Sequence, residues 1–330
     1  MRNLFRTEAG IIQMNSRAVV VHIGFAKTGT TSLQGRLFAQ HPGLISLGKP
    51  EPSEAGARVV DCLTDFQATA ADIRRVRKTW LAELSALPDD GRTVILSSER
   101  LSAYKYYADP TAMVDRIGQI LGDVKILISI RHQVSLVESY YLHVTKRGKY
   151  RSLEEYLTAS FPGDIAHLDF HRMASFYARR FGVTQVGVFP LEQWVAEPTR
   201  YVARMASFLN IDALRTNTLL SGDALNKRKS ARHLAYVALR QRIPLRGVAR
   251  FVPQPIVKGF QRYLDRGAPA KAEIPKAWRE RIEGMHALSN ARLAADYELD
   301  LARYGYAVAD IDLKPASRPS RGSVSRPLGR

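Results

Sequence analysis

The sequence predicts an α/β fold with three layers, in which helices cover both faces of a central parallel sheet. Apolar runs of strand length alternate with longer helix-like stretches, as expected when helices connect parallel strands. Residues 124–130 are apolar at five of seven positions, which is typical of a central strand buried on both faces. A chain of 330 residues that is 45% hydrophobic and 24% charged can bury one large core of this kind.

The predicted elements alternate along the chain. The predicted strands are residues 19–24, 93–97, 124–130 and 185–189. The predicted helices are residues 31–40, 70–87, 110–121, 134–147, 169–181, 199–209 and 289–304. We expect one domain over residues 17–313, preceded by an extension (1–16). The tail, 314–330, is rich in Ser, Arg, Pro and Gly, a composition that predicts disorder.

Cysteine content and hydropathy give a first indication of location. The single cysteine, Cys62, excludes an internal disulfide and fits a reducing compartment. Residues 1–16 lack the apolar core of a signal peptide, and no stretch approaches the ~20 apolar residues that span a bilayer. We therefore expect a cytoplasmic protein.

The net charge of +18 is concentrated in two segments. Residues 227–266 contain eleven Lys or Arg and one acidic residue, and residues 314–330 contain five basic residues and no acidic one. Such a surface favours a polyanionic partner: a donor nucleotide, an acidic glycan, anionic lipid head groups or nucleic acid. For the tail we expect only a solvated surface. Residues 227–266 are a candidate for contact with such a polyanionic partner or with the inner membrane face.

The most specific signal follows the first predicted strand. Residues 24–32 read Gly-Phe-Ala-Lys-Thr-Gly-Thr-Thr-Ser, which fits a P-loop except that the lysine stands inside the loop. The two glycines allow backbone N–H groups to face an anion, and the next helix directs its positive dipole end to the same place. The candidate anion-binding residues are Lys27, Thr28, Gly29, Thr30, Thr31 and Ser32.

The position of the lysine resembles the 5′-phosphosulfate loop of sulfotransferases that use 3′-phosphoadenosine 5′-phosphosulfate. The resemblance is strongest over residues 18–147 and weaker over residues 289–293. Among sulfotransferases, the sequence most resembles bacterial enzymes that act on carbohydrates and glycolipids. This resemblance implies a P-loop NTPase-like sulfotransferase fold and a reaction that needs no metal. It also implies that Lys27 stabilises the charge that develops as the S–O bond to phosphate breaks.

A second cluster begins at Arg131, directly after the predicted central strand, where ligands of open α/β sheets bind. An arginine can hold a phosphate with two hydrogen bonds, and a serine hydroxyl can add a third. Arg131 and Ser139, eight residues apart, resemble the 3′-phosphate site of sulfotransferases in residue type and spacing. Family members often have a further donor contact after the last core strand, for which the candidates are Asn226, Lys227 and Arg228.

Glu99 follows the predicted strand 93–97, and we therefore expect it at the same sheet edge as Lys27 and Arg131. An acceptor hydroxyl loses its proton as it attacks sulfur, so a general base is needed there. Similar carbohydrate sulfotransferases often carry a Ser-x-Glu or Ser-Ser-Glu string at this position, with the glutamate as base, and this resemblance favours a carbohydrate or glycolipid acceptor. An ion-pair partner or a helix-terminal carboxylate is the structural alternative for Glu99.

Two other functions stay open. A P-loop kinase would need Mg²⁺ at an acidic strand end, where Glu99 is the only candidate. A non-catalytic protein would bind an anionic membrane or nucleic acid through residues 227–266. The eight scattered histidines and one cysteine have no spacing typical of a metal site. We favour the sulfotransferase, with a sulfate-donor nucleotide and an acceptor as partners and no nucleic acid.

Overall fold

The computed structural model describes most of the predicted domain. The described residues are 17–106, 110–145, 152–221, 232, 259–260, 263–264 and 271–310. The extension (1–16), the tail (314–330), most of the basic segment 227–266 and the candidate Asn226 lie outside them.

Five parallel strands form the central sheet, in the order β2-β3-β1-β4-β5. They are β1 (Val19–Gly24), β2 (Leu44–Ser46), β3 (Thr93–Ser97), β4 (Lys125–Ile130) and β5 (Val186–Pro190). Every residue of β1, β3 and β5 is buried, as a parallel sheet covered on both faces requires. The predicted α/β architecture with a central parallel sheet is confirmed.

The helices cover both faces of the sheet. They are α1 (Thr30–Ser32, continued by the π-helical segment Leu33–Phe38), α2 (Glu54–Thr64), α3 (Ala70–Ala86), α4 (Pro110–Leu121), α5 (Gln133–Thr145), α6 (Leu153–Ser160), α7 (Gly163–Ala166), α8 (Phe170–Phe181), α9 (Leu191–Ala196), α10 (Pro198–Leu209), α11 (Ala213–Leu220) and α12 (Lys276–Tyr297). Side chains alternate along a strand, so the sheet has one hydrophobic core on each face. Val19 and Val21 of β1 lie in the core that contains residues of α2–α5, α8 and α12. Val20 lies in the other core, with the helical residues 33–38 that continue α1 and with α10 and α11.

Some elements differ from the sequence-based expectation. The strand β2 was not predicted, because it has only three residues. The helices α2, α6, α7, α9 and α11 were not predicted either. The last helix begins at Lys276, thirteen residues before the predicted start, and ends where Glu298 takes a left-handed conformation with φ of 53°. Among the described residues, none of the helices has the length and apolar character needed to cross a membrane.

The topology brings the predicted site residues to one edge of the sheet. All five strands are parallel, so β1, β3 and β4 end at the same edge, at Gly24, Ser97 and Ile130. The loop at 25–29 and the segments that begin at Ser98 and Arg131 leave the sheet there. This is the edge at which open α/β sheets bind their ligands.

Candidate active site

The turn between β1 and α1 needs both of its glycines. A Cβ atom at Gly24 would lie 2.2 Å from Cγ2 of Thr30 and 3.2 Å from the ring of His22. Gly29 has a φ of 82°, in the left-handed region that favours glycine. Since the first N–H groups of a helix lack intrahelical acceptors, the turn places these donors at the start of α1, directly after the end of β1.

Thr28 and Lys27 occupy different positions in this turn. The Thr28 hydroxyl donates to the carbonyl oxygen of Phe25 at 2.6 Å, and its N–H donates to the same oxygen at 3.3 Å. Thr28 is buried, and its two hydrogen bonds close the turn. Lys27 is half-buried and has a φ of 74°, which is uncommon for a residue other than glycine and recurs at ligand-binding sites.

Arg131 lies against the turn. Its Nη1 donates to the carbonyl oxygen of Lys27 at 3.2 Å, so the two cationic residues predicted to bind the donor are in direct contact through the backbone. Ser139 lies on α5, the helix that follows Arg131, and is half-buried. Thr31 is exposed at the start of α1, whereas Ser32 is buried and donates its N–H to the carbonyl oxygen of Gly29 at 3.0 Å.

Glu99 is brought to the turn by the end of β3. Its Oε1 accepts a hydrogen bond from the Thr30 hydroxyl at 3.0 Å, and its Oε2 accepts one from Nζ of Lys49 at 2.7 Å. Burial by itself would raise the pKa of Glu99. This effect is outweighed by the hydrogen bond and charge of Lys49, by a backbone hydrogen bond and by the hydrogen bond from Thr30, which together hold the pKa below its usual value. Glu99 is therefore a carboxylate at neutral pH.

Lys49 is a neighbour of Glu99 that the sequence motifs do not identify. It follows β2, and its N–H donates to the carbonyl oxygen of Ser97 at 3.0 Å, which extends the pairing of β2 with β3. The preceding Gly48 leaves no room for a side chain, since its Cβ would lie 2.2 Å from the Ser97 nitrogen. The only sequence signal is a Gly-Lys-Pro string after a short apolar run.

His22 forms a buried polar network beneath the turn. Its Nδ1 lies 2.7 Å from Oγ of Ser97 and its Nε2 lies 2.9 Å from Oγ of Ser129, so the imidazole connects β1 to both neighbouring strands. Gln34 on α1 donates to Ser97 Oγ at 3.0 Å. Burial lowers the pKa of His22 to about 4, with Glu99 acting in the opposite direction. The imidazole is neutral and its contacts are structural.

A second polar cluster flanks Arg131. Glu192 accepts from the backbone N–H of His132 at 3.0 Å and from the hydroxyl of Tyr306 at 2.9 Å. Burial raises the pKa of Glu192, although these hydrogen bonds and Arg131 partly oppose the rise. Burial, together with Arg279 and Arg131, lowers the pKa of His132 to about 4. Sequence reasoning missed this cluster because its members come from three distant segments.

Helix α9 packs against the turn from the β5 side. A Cβ atom at Gly29 would lie 3.1 Å from Cδ1 of Leu191 and 3.3 Å from Cζ3 of Trp194. The Trp194 ring stacks on Tyr201, with centroids 5.4 Å apart and an interplanar angle of 8°. The turn is thus supported by an aromatic pair. Over the part of the chain that the structure describes, no three His, Cys, Asp or Glu side chains are grouped to hold a metal.

Taken together, the described site consists of a tight turn whose Lys27 backbone contacts Arg131 and a carboxylate, Glu99, that contacts the start of α1. Thr30, the first residue of α1, links the two halves through its 3.0 Å contact with Glu99. Such an arrangement can bind a phosphate-containing group and remove a proton from a second molecule beside it.

No known protein family profile matches this sequence, and no curated protein matches it either. Solved structures do match. A sulfotransferase from Alicyclobacillus acidocaldarius is 20% identical and superimposes with a TM-score of 0.52, covering 88% of this chain and 99% of that one. This likeness identifies the fold of the chain as a sulfotransferase fold, as predicted.

Two further structures are similar at a lower level. The sulfotransferase domain of the Synechococcus PCC 7002 olefin synthase is 17% identical, with a TM-score of 0.40, and the match covers 77% of this chain and 96% of that domain. The sulfotransferase domain of the curacin biosynthetic pathway is 13% identical, with a TM-score of 0.42, over 64% of this chain and 80% of that domain.

Proposed function

We propose that this protein is a sulfotransferase that moves a sulfuryl group from 3′-phosphoadenosine 5′-phosphosulfate to a hydroxyl of a carbohydrate or glycolipid. The observation that carries this proposal is the contact between Thr30 and Glu99. An acceptor hydroxyl bound to Glu99 would lie beside an anion bound at the start of α1. The sulfotransferase fold of the chain supports the same reaction class.

The donor would be held by the turn and by the end of β4. Backbone N–H groups at Gly29 and Thr30 and the Lys27 ammonium suit its 5′-phosphosulfate, while Thr28 acts through the shape of the turn. For the 3′-phosphate we propose Arg131 and Ser139. The remaining proposed contacts with the donor are Thr31, Ser32 and Asn226, of which Asn226 lies outside the described residues. When bound, the donor supplies a sulfate activated by its bond to phosphate.

The proposed reaction is an in-line displacement that needs no metal. Glu99 accepts the proton of the acceptor hydroxyl as its oxygen bonds to sulfur. The bond between sulfur and the bridging phosphate oxygen breaks, and its electron pair stays on that oxygen. Lys27 and the turn N–H groups stabilise this developing charge. Glu99 suits the role because it is ionised and hydrogen-bonded to a residue of the turn.

The site favours this reaction over that of a P-loop kinase. Thr30 stands where a kinase P-loop has its lysine, and Nζ of Lys49 lies 2.7 Å from the carboxylate that would have to bind Mg²⁺. A cation this close competes with a metal for the same oxygen. The donor set therefore fits a metal-free reaction better than a magnesium-dependent one.

The identity of the acceptor rests on the resemblance of the Ser-Ser-Glu string to carbohydrate sulfotransferases. The basic segment 227–266 lies mostly outside the described residues, and we propose that it contacts the acceptor or the anionic inner face of the membrane. A cytoplasmic location belongs to the same proposal. Cosedimentation with vesicles of stated phosphatidylglycerol content, with and without residues 227–266, would test the membrane contact.

Calorimetry tests the proposed function directly. We expect adenosine 3′,5′-bisphosphate to bind in the presence of EDTA and to compete with the labelled sulfate donor, and ATP with Mg²⁺ to bind more weakly. Tighter binding of ATP, dependent on Mg²⁺, would favour the kinase. Binding of DNA or anionic vesicles that survives loss of Lys27 and Glu99, without bisphosphate binding, would favour a non-catalytic protein. A screen of glycan and glycolipid acceptors with labelled donor then identifies the acceptor.

A further inference from the structure

We propose that Lys49 is a positioning residue for the reaction: it fixes the Glu99 carboxylate in the orientation and ionised state needed to accept the acceptor's proton. The inference rests on the proposed function, because it assigns a role to Lys49 only if Glu99 is the base. Its structural basis is the 2.7 Å ion pair between Lys49 Nζ and Glu99 Oε2.

The backbone around Lys49 places this side chain. The N–H of Leu47 donates to Ile95 and the N–H of Lys49 donates to Ser97, both at 3.0 Å, so the chain continues alongside β3 beyond the end of β2. Between them, Gly48 has no space for a Cβ atom against the Ser97 backbone. The close approach of these two segments brings Lys49 level with Glu99, two residues after Ser97.

The two oxygens of Glu99 are held by different elements. Thr30, on α1, donates to Oε1, and Lys49, on the segment after β2, donates to Oε2. Because each oxygen has its own donor, the two contacts together restrict rotation of the carboxylate, and each oxygen retains a lone pair for the acceptor hydroxyl. The Lys49 side chain is 47% exposed and that of Glu99 is 20% exposed, so the pair borders the solvent from which an acceptor arrives.

The charges around Glu99 make Lys49 the main source of its stabilisation as a carboxylate. His22, on β1, also faces Glu99 but is neutral because burial lowers its pKa to about 4. Thr30 is uncharged, and the neighbouring Arg100 pairs with Asp61 on α2. Without Lys49, only the backbone hydrogen bond and the Thr30 hydroxyl would oppose the effect of burial, and the pKa of Glu99 would rise. A protonated Glu99 cannot accept the acceptor's proton.

The direct test follows the ionisation of Glu99 in the full-length protein. With glutamate side chains labelled with ¹³C, the Glu99 carboxyl resonance is assigned by its disappearance in Glu99→Gln. We expect this resonance to titrate at higher pH in Lys49→Met than in the wild type, and Lys49→Arg to restore the wild-type titration. Identical titration in Lys49→Met and the wild type would overturn the inference.

The kinetic test uses the same variants. In Lys49→Met we expect kcat/KM for the acceptor to fall severalfold between about pH 7 and about pH 5, while the wild type and Lys49→Arg change much less. Binding of adenosine 3′,5′-bisphosphate should be unchanged. Lys276→Met is the matched control, since it removes an exposed lysine that pairs with Glu280 on α12.

The outcomes separate the inference from the function on which it rests. Full turnover in Glu99→Gln would overturn the proposed base and the role of Lys49 with it. An inactive Glu99→Gln combined with a wild-type pH profile in Lys49→Met would overturn only the role of Lys49. A loss of activity in Lys49→Met that is equal at every pH and is not rescued by Lys49→Arg would also contradict the inference, because it would indicate a structural defect.

Discussion

Nη1 of Arg131 donates a hydrogen bond to the carbonyl oxygen of Lys27 at 3.2 Å. Arg131 follows β4 and Lys27 follows β1, and these strands are neighbours in the sheet. The carbonyl oxygen that accepts this bond belongs to a lysine with a left-handed backbone, with φ of 74°. We propose that Lys27 binds the 5′-phosphosulfate and the Arg131 guanidinium binds the 3′-phosphate. The contact would then couple the two proposed phosphate subsites.

Replacing Arg131 tests this coupling. Arg131→Ala should weaken binding of adenosine 3′,5′-bisphosphate about tenfold to hundredfold, because a charged hydrogen-bond donor is lost. Arg131→Lys should restore only part of the affinity, since an ammonium lacks the planar fork of a guanidinium. Calorimetry measures both. Arg58→Ala, which removes a surface pair with Glu54, is the control. Unchanged affinity in Arg131→Ala would exclude Arg131 from the donor site.

Replacing Lys27 separates binding from chemistry. Lys27→Ala should lower kcat by about 10²–10³-fold, because the charge on the departing phosphate oxygen loses its cation. The affinity for the intact phosphosulfate donor should fall much less, since that charge develops only as the S–O bond breaks. Single-turnover kinetics with labelled donor measures the first effect and calorimetry the second. An equal loss in both would indicate that Lys27 contributes only to binding.

Replacing Glu99 tests the proposed base. Glu99→Gln retains the shape of the side chain and its contact with Thr30 but cannot accept a proton. We expect kcat to fall by about 10²–10⁴-fold with a sugar acceptor, while bisphosphate affinity stays close to that of the wild type. Full activity in this variant would show that Glu99 is only an ion-pair partner of Lys49.

The turn itself can be tested through the space at Gly24. Gly24→Ala would put a Cβ atom 2.2 Å from Cγ2 of Thr30, so the turn must shift, at a cost of roughly 1–3 kcal/mol in the free energy of unfolding. Thr30→Ser removes that methyl group but keeps the hydroxyl that contacts Glu99. The double variant should therefore regain stability and bisphosphate affinity relative to Gly24→Ala. Additive losses in the thermal unfolding of the double variant would contradict the steric explanation.

The parts of the fold that depend on local sequence were predicted well. β1 and β3 have the predicted bounds, because each is an apolar run ended by glycine or serine. The convergence of the turn, Glu99 and Arg131 followed from parallel strands that end at one edge. The roles assigned to these residues stay predictions.

The parts that depend on long-range contacts were missed. Lys49 reaches Glu99 only because β2, a three-residue strand, pairs with β3 fifty residues later in the chain. Glu192 and Tyr306 meet beside Arg131 through the packing of α9 against the C-terminal segment. Neither contact has a periodicity or a spacing that a single sequence reveals.

The pKa of His22 predicts how stability depends on pH. Imidazole in the unfolded chain titrates near 6.5, whereas burial lowers the pKa of His22 in the folded protein to about 4. Between these values the unfolded chain binds the extra proton, so stability is complete above about pH 6.5 and is lost as pH falls toward 4. The pKa of His132 is also lowered to about 4, so protonation of His132 destabilises the folded protein over the same pH range.

The loss for His22 alone should reach about 3 kcal/mol near pH 4, because each pKa unit corresponds to about 1.4 kcal/mol. His22→Gln removes the titrating group while an amide can still contact Ser97 and Ser129. Urea unfolding at several pH values should therefore give a smaller decrease in the free energy of unfolding below pH 6.5 for His22→Gln than for the wild type. If both proteins lose stability equally over this range, His22 is not held neutral by its burial between β3 and β4.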